Sequence, residues 1–235
     1  MAAAGMTRER GRGYRKRKPL PAIVFALVLV IAAVVVWTKV IDRADNVGAA
    51  VDCPPAPTVP GLPAPSVGTP LPYGALDKVT PAPPSEFRTT VYNASTKHGA
   101  AQSVSIQLTE LGFTQQGVPG TDPAYPHSDT SSTDVMNCQG EIRFGANGES
   151  AARTLSLVLP CTQLIRDNRQ DTSVDVSIGS KFGSVAPNAD AKSVLDQLTS
   201  FAAAHPAPVG GQQAQGPAPQ IASALLTGAT STPCA

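Results

Sequence analysis

Nineteen consecutive uncharged residues, LPAIVFALVLVIAAVVVWT at positions 20–38, follow a stretch in which seven of the eleven residues from 8 to 18 are Arg or Lys. As a helix rising ~1.5 Å per residue, this run covers ~28 Å, close to the hydrocarbon thickness of a bilayer. Trp37 falls where an interfacial aromatic belongs. The sequence therefore predicts one transmembrane helix at 20–38. Basic residues stay cytoplasmic, so Arg8, Arg10, Arg12, Arg15, Lys16, Arg17 and Lys18 place the tail 1–19 inside and everything after Lys39 outside. The expected localisation is the cell membrane, single-pass, with an extracytoplasmic C-terminal part. A cleaved secretory signal shares the basic start and the apolar run, but the small residues Gly48, Ala49 and Ala50 lie about a dozen residues beyond that run, farther than ordinary cleavage tolerates. The residues before Cys53 make a poor lipobox.

Charge divides the same way. Residues 1–41 hold eight Lys or Arg against Glu9 alone, a balance of +7, so the net charge of +1 leaves −6 for residues 42–235. A mildly acidic exported part gains little from counterion release on a polyanion, which argues against nucleic acid as a partner. The basic tail suits an anionic inner leaflet.

All four cysteines, Cys53, Cys138, Cys161 and Cys234, lie on the expected outer side, where thiols are not held reduced. Two disulfides are expected. Three pairings are possible; Cys138 and Cys161 flank the compact middle of the chain and are expected to pair, leaving Cys53 with Cys234. Spacings of 85, 23 and 73 carry no metal-ligand pattern, and His98, His127 and His205 are scattered, so neither a metal nor a cofactor is expected.

Residues 53–85 contain eleven prolines in thirty-three positions with almost no charge, a composition that builds no core. Segment 39–85 is expected to be an extended extracytoplasmic stalk. Residues 205–235 begin with a second Pro, Gly and Gln linker and end in the Cys234 segment, with a short helix expected at 221–227. Between them, 86–204 is long enough for one small domain. There, FRTTVY at 87–92 reads as a strand. Ala101, Val104, Leu108 and Leu111 form the stripe of a helix that Gly112 stops, with Ser95 or Thr96 as its cap. Residues 117–133 read as an exposed polar loop. Residues 141–144 alternate like a strand, 150–159 carry a helical face ended by Pro160, 174–178 alternate again, and Val194, Leu195, Leu198 and Phe201 mark a last helix over 189–203. The fold class is a small α/β domain, a mixed sheet with packed helices.

No nucleophile elbow, phosphate loop, dinucleotide fingerprint or zinc-protease helix occurs. Asp167, Asp171 and Asp175 recur at steps of four, but in a region that reads as strand they form a solvated surface rather than an acid–base pair. The best candidate ligand contact is the NASTKHG turn, through Asn93, Ser95, Thr96 and Gly99, since ligands sit at strand C-termini of open α/β sheets and helix starts attract anions. Strand-to-helix capping needs the same residue types.

Val91 to Ser95 (VYNAS), Gly99 with the two alanines after it, and Leu111-Gly112-Phe113 resemble the LytR C-terminal domain family, in which a strand ending V-x-N-(A/G)-(S/T) leads through Gly to a helix closed by a Leu-Gly-Phe-like end. The wider arrangement of basic tail, apolar helix, Cys-Pro-Pro stalk, NCQGEIRFG at 137–145 and LPCT at 159–162 resembles actinobacterial proteins of cell-envelope integrity. That resemblance implies an accessory role in the envelope without catalysis. The implied partners are the membrane itself and a cell-wall polymer, a lipid or another envelope protein. The alternative is a minor enzyme acting on envelope glycans or lipids, with Asp167, Asp171 or His98 recruited.

Overall fold

The structure, a computed structural model, describes residues 20–56, 58, 67–126, 133–206, 218–231 and 234. The basic residues from Arg8 to Lys18 and His127 lie outside the described residues. The chain divides into two units, Met1–Arg43 and Ala44–Ala235.

Helix α1 (Leu20–Val51) starts where the apolar run starts and continues past its expected end at Thr38. Pro54 and Pro55 follow shortly after, where proline cannot continue a helix. The side chains of α1 are described for residues 23–39, 50 and 51. Large apolar side chains from Ile23 to Trp37 are exposed around it. Among the described residues, no helix is long and apolar enough to cross a membrane.

In the second unit a six-stranded sheet has the order β1-β5-β4-β6-β2-β3. Its strands are β1 (Thr69–Pro70), β2 (Thr89–Asn93), β3 (Gly120–Thr121), β4 (Gly140–Phe144), β5 (Gln163–Arg166) and β6 (Val174–Ile178). The pairs β2·β3, β2·β6 and β4·β5 are parallel, while β1·β5 and β4·β6 are antiparallel, so the sheet is mixed as expected. Helices α2 (Ala100–Glu110) and α3 (Glu149–Val158) connect parallel neighbours, β2 to β3 and β4 to β5. Helices α4 (Ala189–Ala204) and α5 (Ser223–Ala229) complete the unit. Three strands, β1, β3 and β5, go beyond what the sequence pattern shows.

Alternation along each strand divides the sheet into two faces. Val91, Val176, Ile142 and Leu164 are register partners across four strands, and all join one core with Ala101, Val104 and Leu108 of α2 and Ala151, Leu155 and Val158 of α3. Both helices therefore lie on one face. Leu157 of α3 turns away to meet Ala191, Val194 and Leu198 of α4 and Ala229 of α5 in a second cluster. The opposite face carries Tyr92, Ser177, Glu141 and Gln163 in one register row and Thr90, Asp175, Arg143 and Ile165 in the next.

That polar face is not left to solvent. Asp122, Ala124, Tyr125, Met136 and Cys138 are buried, and all but Asp122 gather in an apolar cluster with Ala94, against which Cys53, Ala56 and Val67 pack. The expectation that 117–133 is wholly exposed is thus corrected for its described residues. Asp122 is drawn in by Arg143, and the residues beside it supply the apolar cover.

The expected stalk is corrected as well. Thr69 and Pro70 pair with β5, Leu71 N donates to Leu164 O at 2.8 Å, and Thr154 Oγ1 donates to Ala82 O at 2.6 Å. Leu76, Pro81, Pro83 and Pro84 are buried. Proline lacks an N–H and suits a sheet edge, so residues 67–85 form part of the domain despite a composition that builds no core alone.

The cysteines pair as Cys53 with Cys138 and Cys161 with Cys234. This replaces the expected Cys138–Cys161 and Cys53–Cys234 scheme. The reason lies in the two faces: Cys138 is buried 2% exposed in the polar-face cluster, whereas Cys161 follows α3, on the helix side. Nearness in sequence does not bring their side chains together.

Candidate functional site

The strand ends gather the residues of interest. Asn93, Ile178 and Gly140 are register partners, so the C-terminal ends of β2 and β6 and the N-terminal end of β4 lie side by side. Segment 94–99 leaves this end of the sheet from β2, and segment 179–188 leaves it from β6.

Asn93 is buried, and its side chain organises the turn after it. Its Oδ1 accepts from Ser95 N at 3.1 Å and Ser95 Oγ at 2.7 Å, while its Nδ2 donates to Lys97 O at 3.0 Å. Ser95 Oγ accepts in turn from Lys97 N at 3.2 Å. These groups hold the backbone that leads into α2, as short polar side chains do at turns. Neither Ser95 nor Thr96 caps the helix, which corrects that expectation. The N-cap is Gly99, at φ 73°, with no side-chain cap bond. Glycine adopts this left-handed conformation without steric cost, which lets the turn close directly onto α2.

A recess of about 220 Å³ opens beside the turn, lined in part by Asn93, His98, Gly99, Gln102 and Thr121. It brings together Asn93 and Gly99 of the four expected contacts. Ser95 is buried within the turn and Thr96 is exposed, and neither lines the recess.

A second cavity of about 250 Å³ lies at the same end, between the end of α3 and the segment after β6. Val158, Leu159, Pro160, Phe182 and Ala186 supply apolar walls, and Lys181 stands at the rim. Lys97 Nζ, from the Asn93 turn, donates to the carbonyl of Phe182, a residue of this cavity's wall, at 2.6 Å. Sequence reading does not find this cavity, because its lining is gathered from Gln139, from 158–162 and from 181–186. A smaller enclosed space of about 30 Å³ beside Tyr73, Asp77 and Arg153 has room for little more than a water.

The strongest electrostatics lie under the polar face. Arg143 Nη1 meets Asp122 Oδ2 at 2.9 Å and Arg143 Nε meets Glu141 Oε2 at 2.7 Å, all three side chains being at least nine-tenths buried. Asp122 also accepts from Ala124 N at 2.8 Å and from Ser177 Oγ. Burial holds the Glu141 carboxyl above its ordinary value, against the downward pull of Arg143. Burial alone would lower the Arg143 guanidinium, but Asp122 and Glu141 hold it above its usual range. Arg143 Nη2 is buried with no hydrogen-bond partner among the described residues. This network fixes the cover of the sheet; it presents no carboxylate and nucleophile to a cavity.

The aspartates expected as a solvated surface behave differently from one another. Asp167 and Asp175 both pair with Arg169 Nη2, at 2.7 and 2.6 Å, with side chains about one-fifth exposed. That guanidinium is held well above its ordinary range by the two carboxylates, against the effect of burial. Asp171 accepts from Ser173 N and Oγ at an exposed turn, and Ser173 holds its carboxyl below the ordinary value. His98 lies at the recess, and His205 stacks on Phe201 at 4.4 Å. Among the described residues, no group of three or more His, Cys, Asp or Glu side chains is placed to hold a metal ion.

A family model described as "LytR cell envelope-related transcriptional attenuator" matches residues 86–182, which span β2 to β6 and end at Phe182. The cell envelope integrity protein Cei of Mycobacterium tuberculosis (strain ATCC 25618 / H37Rv) is 37% identical over 190 residues, covering 81% of this chain and 85% of that protein. The crystal structure of the soluble domain of a conserved hypothetical secreted protein from Mycobacterium marinum is similar at a TM-score of 0.56 and 34% identity, over 72% of this chain and 99% of that one.

Proposed function

This chain belongs to the family of the cell envelope integrity protein Cei and carries its LytR C-terminal domain, and from that premise we propose an anchored, extracytoplasmic accessory protein that supports envelope integrity by binding an envelope component without catalysis. In this reading, which rests on the apolar run and its basic flank in the sequence and not on the described helix, residues 20–38 are the membrane anchor and the basic tail is cytoplasmic. The sheet end that carries the Asn93 turn and the cavity beside Lys181 holds the ligand, in keeping with the place where α/β sheets bind theirs.

The observation that carries this reading is the cysteine chemistry. All four cysteines follow the apolar run, and all four are paired, as in a compartment where thiols oxidise. The relative from M. marinum is titled a secreted protein, which agrees. Cys53 comes fifteen positions after Thr38 and is bonded to Cys138. The connection from the span to the domain is therefore a short one, not a stalk reaching to residue 85. The absence of catalysis is supported by how the carboxylates are used: Asp122 and Glu141 serve Arg143, and Asp167 and Asp175 serve Arg169.

The test is fractionation with protease added to intact cells. The full chain is expected in the membrane fraction, with the region beyond Lys39 cleaved from outside once the disulfides are reduced. A soluble mature chain, or a region beyond Lys39 that stays protected until cells are lysed, contradicts the proposal.

A further inference from the structure

The C-terminal segment lies against α3 and α4 with few attachments of its own. Helix α5 has seven residues and no side-chain cap bond at its start, and helices shorter than about a dozen residues do not persist unaided. Among the described residues, every backbone–backbone hydrogen bond of 218–231 stays inside that segment. Its polar links outward are Asn188 Nδ2, donating to Gly228 O at 2.9 Å and Ala229 O at 3.2 Å, and Tyr73 Oη, donating to Thr230 O at 3.4 Å. Beyond them comes the Cys161–Cys234 bridge. Ala229 is buried, while Ile221, Leu225 and Leu226 pack with part of their surface exposed. What the segment covers is more apolar than what holds it: Leu157 of α3 and Ala191, Val194 and Leu198 of α4 are all at 0% exposure. Helix α4 has anchors of its own, since Leu195 joins the main core and Asn188 Oδ1 caps the helix by accepting from Ala191 N at 2.8 Å.

The two bridges differ in what a thiol can reach. Cys161 and Cys234 are both partly exposed, whereas Cys138 is 2% exposed inside an apolar cluster. Exchange requires a thiolate to meet one sulfur and expel the other as a thiolate. At the Cys53–Cys138 bridge, burial closes the approach to Cys138, and attack on Cys53 would leave the charge of Cys138 among Ala94, Tyr125 and Met136, where it is poorly solvated. At the other bridge both halves are partly exposed, so attack and departure are open. Segment 136–139 is moreover bonded by its backbone to Ala94 and to 179–181, so its place does not rest on a bridge alone. The segment 218–231 has no such support.

We infer that residues 218–234 form a strap latched by the Cys161–Cys234 bridge, and that a dithiol donor opens this latch while Cys53–Cys138 stays closed, uncovering the apolar seam between α3 and α4. The donor's first thiolate attacks Cys234 Sγ; the S–S bond breaks, and Cys161 leaves as a thiolate and takes up a proton. The donor's second thiolate then displaces Cys234 from the mixed disulfide, and Cys234 is protonated in turn. The pair has gained two electrons and two protons, and the dithiol has become a disulfide. Exchange with a disulfide oxidant runs the same steps backwards and closes the strap. The device goes beyond the binding role proposed above and does not depend on it.

The experiment treats the full chain, in detergent micelles without denaturant, with graded dithiothreitol, alkylates the free thiols and maps them by mass spectrometry. Cys161 and Cys234 are expected to be alkylated together, roughly tenfold or more faster than Cys53 and Cys138, since exchange follows access and the ease with which the leaving thiolate forms. Amide hydrogen exchange, read on the same samples, is expected to show 223–229 losing protection once that bridge is reduced, with α2, α3 and the sheet unchanged. Hydroxyl-radical footprinting is expected to reach Leu157 and Leu198 only in the reduced chain. Glutathione disulfide, added before alkylation, is expected to restore the protection of 223–229. Cys161→Ser with Cys234→Ser is expected to show the open pattern without reductant. Alkylation of Cys53 and Cys138 with or before the other pair overturns the inference, as does a reduced Cys161–Cys234 pair with α5 still protected or a strap that does not close on reoxidation. Loss of protection throughout 86–182 together with α5 overturns it too, making the bridge a brace for the whole domain.

Discussion

On the helix side of the sheet the row Val91, Val176, Ile142 and Leu164 packs against α2 and α3, whereas the neighbouring row on the other side reads Thr90, Asp175, Arg143 and Ile165. The first face is closed by hydrophobic burial, which is non-directional and tolerant. The second is closed by an ion-paired network, a disulfide and one small apolar cluster, each of which depends on specific partners. The two sides are thus closed in different proportions: the helix side mainly by apolar burial, with the Cys161–Cys234 bridge beyond α3, and the polar side mainly by partners that must match.

The sharpest way to break this contrast is to remove the cation of the polar face. Arg143→Ala leaves Asp122 and Glu141 buried without their partner and is expected to cost about 3–5 kcal/mol, read by chemical denaturation. Leu155→Ala on the helix face opens a cavity in α3 and is expected to cost about 2–5 kcal/mol. Double replacement Cys53→Ser and Cys138→Ser should cost about 2–4 kcal/mol. The contrast predicts that this loss raises proteolysis within 120–138 before it affects α2 or α3, checked by limited digestion. Thr89→Val acts in the opposite direction. Its hydroxyl is buried on the helix face with no partner among the described residues, so the variant is expected to be neutral or more stable by about 1 kcal/mol.

The smallest effect lies in pH dependence. The Glu141 carboxyl is raised in the folded state above its ordinary 4.5. The folded protein therefore holds that proton more tightly than the unfolded chain does. The stabilisation linked to it is present below 4.5 and is lost as pH rises through the folded value. The stability of wild type relative to Glu141→Gln is expected to fall as pH rises from 4 towards neutrality; a gap that widens in favour of wild type would show that Arg143 dominates.

Legibility in the sequence follows the same division. The helix face announces itself by period: Ala101, Val104 and Leu108 mark α2, and Gly112 at φ 95° ends that turn region as expected. Residues 174–178 alternate and are β6. The polar face is invisible in that way, because Glu141 and Arg143 alternate like any solvent-facing residues, and only the distant Asp122 explains their burial. Strand β5 is four residues long with polar ends, and β1 contains proline, so neither shows a strand pattern until its neighbour is known. Prolines from 70 to 84 read as stalk because the benefit of packing them comes from α3 and β5, not from their own segment. Asn93 and Gly99 are legible as a turn. The cavity beside Phe182 and Lys181 is not, since it exists only where Gln139, 158–162 and 181–186 meet.

The central claim is that the protein serves the envelope by binding at this sheet end and not by catalysis. Envelope permeability to a dye, measured in a strain lacking the protein and complemented with two full-length variants, tests it most directly. The account predicts that Ala186→Trp, which fills the hollow, leaves the envelope leaky, and that Asp171→Ala, which removes an exposed carboxylate at the opposite end of β6, restores it fully. The reverse pattern, protection by Ala186→Trp and failure of Asp171→Ala, would contradict the account and make the enzyme reading the better one.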